Sequence, residues 1–459
     1  MSSRFDVIVR GGRVVTPEGV TPGDVGIAGE KIAHIAVAIS ESAPKEIDAS
    51  GLQVFPGILD AHVHFNEPGR TEWEGLATGS AALAAGGGAW FCDMPLNSTP
   101  PVLDAASFAA KASLAAEKSV TDFSLWGGLV PQNVDRLAEL AEAGVIGVKA
   151  FMCGSGVADF PGITDEDTLR RGMRRAAELG LLVAVHAEDE GIAERLTAAA
   201  RAEGRTDIRS WLDTRPLQVE LAAIRLATDL AGETNCPLHI VHVSSPEGLA
   251  IVADARRHGV KVSAETCPHY LLLNEADALR IGAAAKCAPP LRPEASRRGL
   301  WDALGLGWVD TIGSDHSPAP PALKTAADFF DVWGGISGIQ HGFPLLLGTA
   351  VERLGEHRAL TLFSMLLAAD VARRFQLPGK GRLAVGADAD FTLLDLRHDR
   401  TLDNSELLYR HRQGPYHGRR CRCTVKETWV RGARIWRDGG IAPGARRGQL
   451  LRPNSAAHA

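Results

Sequence analysis

Six side chains able to bind metal or carry protons stand at the ends of apolar, strand-like runs in this sequence. His62 and His64 follow the first such run, VFPGIL. Residues two apart on an extended strand share a face, so both imidazoles can aim at one point. Imidazole nitrogen suits zinc and similar metals; taken alone, the pair is a weak metal signal and reads more readily as solvated or core-edge histidines. Lys149 interrupts VIGVKAF. Lysine is almost never fully buried without a partner. Either it snorkels at a strand end, or carbon dioxide has carbamylated it. A carbamate is a carboxylate-like anion able to bridge two metals, and it removes the cost of a buried cation. His186 closes LLVAVH, and His239 and His242 lie three apart in LHIVHVSS. On a strand those two face opposite sides. His242, nearer the C-terminal end, is the one expected to enter the site; His239 is expected to face a helix or to be a satisfied core histidine. Asp315 sits in IGSDHSP, where a lone aspartate commonly caps a helix or makes a turn. Together the six can hold two divalent ions with an open bridging position. The charge balances, with a carbamate, an aspartate and a bridging hydroxide set against two dications.

These residues need a scaffold that brings strand ends together. Eight apolar runs alternate with helix-patterned segments such as Asn133–Ala143, Asp165–Leu179, Leu217–Ala231 and Pro246–His258. The runs are VFPGIL, AWFCDM, DFSLWGGL, VIGVKAF, LLVAVHAE, LHIVHVSS, VKVSAETC and VDTIGSD. That alternation predicts an α/β fold, a TIM-like (β/α)8 barrel whose site lies at the C-terminal strand ends. Both ends of the chain read differently. DVIVRGGRVV, VGIAGEKIAHI, GADADFTLLDL and CTVKETWVRGARIWRDG are strands with glycine turns. They predict a small β-sandwich domain built from residues 1–54 and 386–440, flanking a barrel over 55–385, with a loose tail at 441–459.

Composition narrows the function. Lysine and arginine total 49 against 55 acidic residues, a net charge of −6. Without basic clusters this argues against nucleic-acid binding. No apolar run approaches the ~20 residues that span a bilayer. The N-terminus lacks a signal-peptide core, so a cytoplasmic protein with its seven cysteines reduced is expected. The 49 glycines, about 11% against a usual ~7%, predict tight turns or close backbone approaches.

PGILDAHVHFNEPG, GVKAF, VAVHAE, HIVHVSS, ETCPHY and IGSDHSP, in this order, resemble the amidohydrolase superfamily, specifically its cyclic amidohydrolases. The resemblance covers nearly the whole chain. It implies a binuclear metal enzyme that opens cyclic amides. The metal shell would be His62, His64, Lys149, His186, His242 and Asp315, with two ions, zinc favoured, and Lys149 carboxylated by carbon dioxide. It also implies a homotetramer. Dihydroorotase-like members carry an arginine two places after the second histidine, where this chain has Asn66. A neutral amide cannot replace a guanidinium's bidentate grip on a carboxylate.

EPGRTEWEG, DMPLNSTP, KAFMCGSGVADFP, SDHSPAPPALK and WGGISGIQ resemble the allantoin-opening members in particular, which implies allantoin as the small-molecule substrate. Hydantoinase, dihydropyrimidinase or dihydroorotase specificity is the alternative. A non-catalytic scaffold is a further one, disfavoured because all six ligands are present. Asp315 is the expected proton carrier. Ring contacts are expected from backbone at Cys287-Ala288, where relatives often have Ser at the second position, and at Gly334-Gly335. Asn66, Asn97 and Ser155 are side-chain candidates for the ureido group, each equally readable as a turn or cap residue.

Overall fold

The computed structural model describes residues 4–437, 439–445 and 448–454. Its centre is a ring of eight parallel strands. The first three, Ile58–Val63, Gly88–Asp93 and Asp122–Leu125, pair in order. The third resumes at Gly127–Gly128 and pairs with strand four, Val148–Phe151. Strands five to eight follow as Val183–His186, Leu238–Ile240, Val262–Thr266 and Thr311–Ile312. The ring closes where Val63 bridges His316. Ser314 N–H also donates to Asp60 Oδ1 at 3.0 Å, across strands eight and one.

Helices form between the strands for local reasons. In Glu166–Glu178, Asp165 caps the N-terminus by accepting from Thr168 N–H at 2.8 Å. Leu169, Met173 and Ala176 then recur at helical spacing and are buried, while Arg170 pairs with Glu166 on the wet face. The helix expected over Leu217–Ala231 runs Leu217–Thr234, and that over Pro246–His258 runs Pro246–Arg257.

The strands of the two chain ends join in one nine-stranded sheet. Gln53–Pro56 lies between Val7–Thr16 and Phe391–Asp395, so the two ends meet there. A single apolar cluster draws on both, including Val9, Ile27, Phe391 and Trp429; the last two rings stack at 5.3 Å. The VFPGIL run is therefore divided. Gln53–Pro56 belongs to the sheet, and the crossing into the barrel falls at Gly57, later than residue 54. Two further expectations are corrected. Between Asp395 and Thr424 the chain leaves the sheet and packs on the barrel, where Gln340 N–H donates to the Tyr409 hydroxyl at 2.9 Å and Arg410 N–H to Glu74 at 3.2 Å. The tail is not loose over 449–451, because Phe123 N–H donates to Gln449 O at 2.9 Å and Leu451 N–H to Phe123 O at 2.7 Å. Residues 446, 447 and 455–459 of that tail lie outside the described residues.

A buried ion cluster joins sheet to barrel. Lys380 Nζ reaches Asp122 and Asp390 at 2.7 Å each and Asp388 at 3.0 Å, and Arg431 also reaches Asp122. Among the described residues no helix is long and apolar enough to cross a membrane.

Candidate active site

At the C-terminal strand ends three ligand-type side chains converge. Nε2 of His62 lies 3.2 Å and Nε2 of His64 3.4 Å from Asp315 Oδ1. Asp315 has φ 45° and His242 φ 42°, the left-handed region that non-glycine residues seldom occupy. Strained backbone of this kind gathers at functional sites. At His242 it changes the outcome expected from strand periodicity, because strand six ends at Ile240. His239 is still on the strand, in the same register row as Ala184 and Lys149. It therefore shares the Lys149 face. The expectation that only one of the two histidines enters the barrel is corrected: His239 lies inside, one layer below. Its Nδ1 is 2.8 Å from the Ser263 hydroxyl and its Nε2 3.9 Å from Glu265.

Three of the four outward ring nitrogens are engaged, and Nδ1 of His242 has no hydrogen-bond partner. His62 Nδ1 meets Glu265 Oε1 at 2.7 Å, His64 Nδ1 meets Leu96 O at 2.9 Å, and His186 Nε2 meets Glu188 Oε2 at 2.9 Å. An acceptor on one ring nitrogen places the proton there and leaves the lone pair on the other. Those lone pairs, on Nε2 of His62 and His64 and Nδ1 of His186, face the common centre. His186 Nδ1 is 3.0 Å from His242 Nε2. Close approach of strands seven and eight depends on Gly313, where a Cβ would stand 2.5 Å from Glu265 Oε2.

Lys149 is fully buried and its Nζ has no hydrogen-bond partner. Burial pushes its ammonium down to about 7, against the pull of Asp315 and Glu265. Burial also lowers His242. Burial alone would raise Asp315; the surrounding His62, His64 and His242 outweigh it and hold this carboxyl far below the usual range. The donor set is four imidazoles, one carboxylate and an orphaned amine that carbamylation would turn into a second anion. It fits divalent ions such as zinc.

The centre opens into a cavity of about 350 Å³. Asn97, Ser155, Cys287, Ala288, Gly334 and Gly335 line it; Asn66 does not. Asn66 is fully buried behind the wall, donating to Pro318 O at 3.3 Å and accepting from Asn97 Nδ2 at 3.1 Å, so it supports Asn97 and does not itself face the cavity. The Ser155 hydroxyl donates to Phe160 O at 2.5 Å. Gly335 has φ 147°, and a Cβ there would stand 2.3 Å from Ser317 O. Both of its backbone groups are taken, N–H by Lys286 O at 2.7 Å and C=O by Lys324 Nζ at 2.8 Å. Gly334 has open space around it. Sequence reasoning missed Glu188, Arg215, Lys286 and Trp333 in this wall, and Glu265 behind His62. Period-two alternation carried a signal for two of them, since Glu188 is two residues beyond His186 and Glu265 two beyond Ser263. Arg215 follows a short helix, Ile208–Asp213, and nothing local marks it.

Residues 53–435 match the model of the amidohydrolase family. The chain is 50% identical over 451 residues to an allantoinase of Deinococcus radiodurans, covering 98% of this chain and 99% of that protein. It is also 50% identical over 461 residues to an allantoinase of Solibacter usitatus, covering 99% and 98%. Among solved structures it resembles the L-hydantoinase (dihydropyrimidinase) of Arthrobacter aurescens, with a TM-score of 0.92 and 32% identity over 98% of this chain and 100% of that one.

Proposed function

The chain belongs to the amidohydrolase family, and from that premise we propose that it is an allantoinase, hydrolysing the ring amide of allantoin to allantoate. The carrying observation is half-identity to proteins of that name over almost the entire length. The protein is a hydrolase of cyclic amide bonds.

His62 and His64, with Asp315, would hold one divalent ion, and His186 with His242 a second; carbamylated Lys149 would bridge them. Zinc is the favoured metal, by imidazole ligation. The ions supply Lewis-acid polarisation of the ring carbonyl and water activated at neutral pH. The state of Lys149 supports carbamylation. At a pKa of about 7 a large share of the amine is neutral, and its lone pair forms the N–C bond to carbon dioxide while a proton leaves to water. The buried site then holds an anion in place of an amine without a hydrogen-bond partner.

Asp315 takes the proton of the attacking water and delivers it to the ring nitrogen as the C–N bond breaks, acting as base and then acid. The bond cleaved joins that nitrogen to the carbonyl beside the ureido-bearing carbon. Oxygen from water completes the carboxylate, and the released nitrogen becomes the end of a second ureido group. Glu265, Leu96 O and Glu188 keep three imidazoles aimed throughout. The backbone of Cys287-Ala288 and Gly334 is proposed to hold the planar ring edge, where missing or small side chains allow close approach. A homotetramer is proposed from the family resemblance; light scattering tests it.

The deciding experiment offers the metal-loaded enzyme allantoin, hydantoin, dihydrouracil and dihydroorotate. Allantoin is expected to have the highest kcat/KM. No turnover of allantoin would sink the reading.

A further inference from the structure

We propose that Arg215 and Trp333 form a subsite for the exocyclic ureido group, donating to its carbonyl, while Glu188 accepts from its N–H groups. The proposal rests on the allantoinase reading and names residues for a part of the substrate that the reaction itself does not touch.

Three residues that line the cavity carry polar groups with hydrogen-bonding capacity to spare. Arg215 is half-buried and lies over the Trp211 indole, 5.0 Å from its centroid. Its side chain donates to the Thr214 hydroxyl at 3.1 Å, and among the described residues no carboxylate pairs with it. A guanidinium carries five donors, so most remain free. Trp333 Nε1 is buried without a partner. Glu188 is 3% exposed; one of its oxygens holds His186, and the other, Oε1, is buried and unpaired. All three line the same cavity.

Several other polar groups in the wall are already engaged. Lys286 Nζ donates to the carbonyls of Phe329, Phe330 and Val332. One N–H of Asn97 Nδ2 goes to Asn66, and the Ser155 hydroxyl bonds within its own loop. Lys324 Nζ holds Trp333 O at 2.9 Å. With Lys286 on the preceding carbonyls, it fixes the loop that carries the indole. Two donor-only groups and one acceptor-only group match a ureido, which offers one carbonyl and several N–H groups. Unpaired buried polar groups cost free energy. A site left with such groups discriminates against ligands that cannot pair them.

The test measures allantoin kcat/KM, together with the inhibition constant of unsubstituted hydantoin, for metal-loaded wild type, Arg215→Met, Arg215→Lys and Trp333→Phe. Hydantoin carries the ring without the ureido group. Arg215→Met is expected to lose roughly 10- to 100-fold in allantoin kcat/KM, the range for a charged hydrogen bond, while hydantoin binding weakens far less. Arg215→Lys is expected to fall between it and wild type. Trp333→Phe keeps a ring against Trp73 (4.8 Å between centroids) and removes the N–H, so it reports on the subsite even if Arg215→Met folds poorly. Parallel weakening of allantoin and hydantoin in both Arg215→Met and Trp333→Phe overturns the subsite and leaves the allantoinase reading intact. A wild type that binds hydantoin and turns over no allantoin overturns both. Dihydroorotate turnover that Arg215→Met abolishes would assign the guanidinium to a ring carboxylate, and also overturns the proposal.

Discussion

The Glu265 carboxylate lies 2.7 Å from Nδ1 of His62, so strand seven sets the direction of an imidazole on strand one. Both side chains are 1% exposed, and Glu265 is the partner of the ring's Nδ1. Removing such an outer carboxylate typically weakens metal binding ~10- to 100-fold. Glu265→Ala is expected to lose metal in that range when dialysed against a competing chelator, with metal content read by elemental analysis. Glu265→Gln retains an acceptor without the charge and is expected to fall between. Unchanged retention in the alanine variant would show that the ring is oriented by other means.

Lys149 Nζ has no hydrogen-bond partner in a fully buried position, so its function is proposed to come from the carbamate. Lys149→Ala is expected to abolish measurable turnover and to lower metal content. Acetate or propionate, small enough for the vacated space, is expected to restore part of both. A variant with wild-type activity would refute the bridge.

Lys380 bridges Asp390 and Asp388, sharing Asp122 with Arg431 and Asp388 with Lys31. Asp122 belongs to barrel strand three, while Asp390 borders the sheet strand Phe391–Asp395. Burial raises the Asp390 carboxyl even with Lys380 beside it. Lys380→Met would leave the buried Asp390 without its salt-bridge partner, and losing one partner of a buried pair costs about 3–5 kcal/mol. Denaturant melts are expected to show that loss, and adding Asp390→Asn is expected to recover part of it. A neutral Lys380→Met would mean that water or movement relieves the charges.

The barrel was legible because eight apolar runs alternate with helical patterns, and the six ligand-type residues because they stand at the ends of those runs. What stayed hidden depended on backbone direction and packing. VFPGIL reads as one strand, since a sheet strand and a barrel strand buried on both faces are equally apolar; only pairing with Phe391–Asp395 separates Gln53–Pro56 from Ile58–Val63. His239 was assigned the wrong face because strand six stops before His242, and a positive φ reverses the expected alternation. Asn66 sits two residues beyond His64, yet its φ of 62° turns it behind the wall. Arg215 reaches the cavity through the packing of the segment between Ile208–Asp213 and Leu217–Thr234, which no local pattern encodes.

The depressed Lys149 pKa gives the carbamylation step a definite pH profile. Carbon dioxide reacts with the neutral amine, and burial brings the pKa down to about 7. In protein stripped of metal and carbamate and then held at fixed dissolved carbon dioxide, the initial rate of carbamate formation should follow the amine fraction. With a pKa of about 7 that fraction rises about tenfold between pH 6 and pH 8 and then levels off. A lysine with the ordinary pKa of about 10.4 would instead gain about tenfold per unit up to pH 10. The two profiles separate above pH 8, where one is flat and the other still climbs. Carbon-13 NMR of the carbamate, or metal uptake after a timed exposure, reads the rate without depending on turnover. A continued climb through pH 9 would show that the amine is solvated before it reacts.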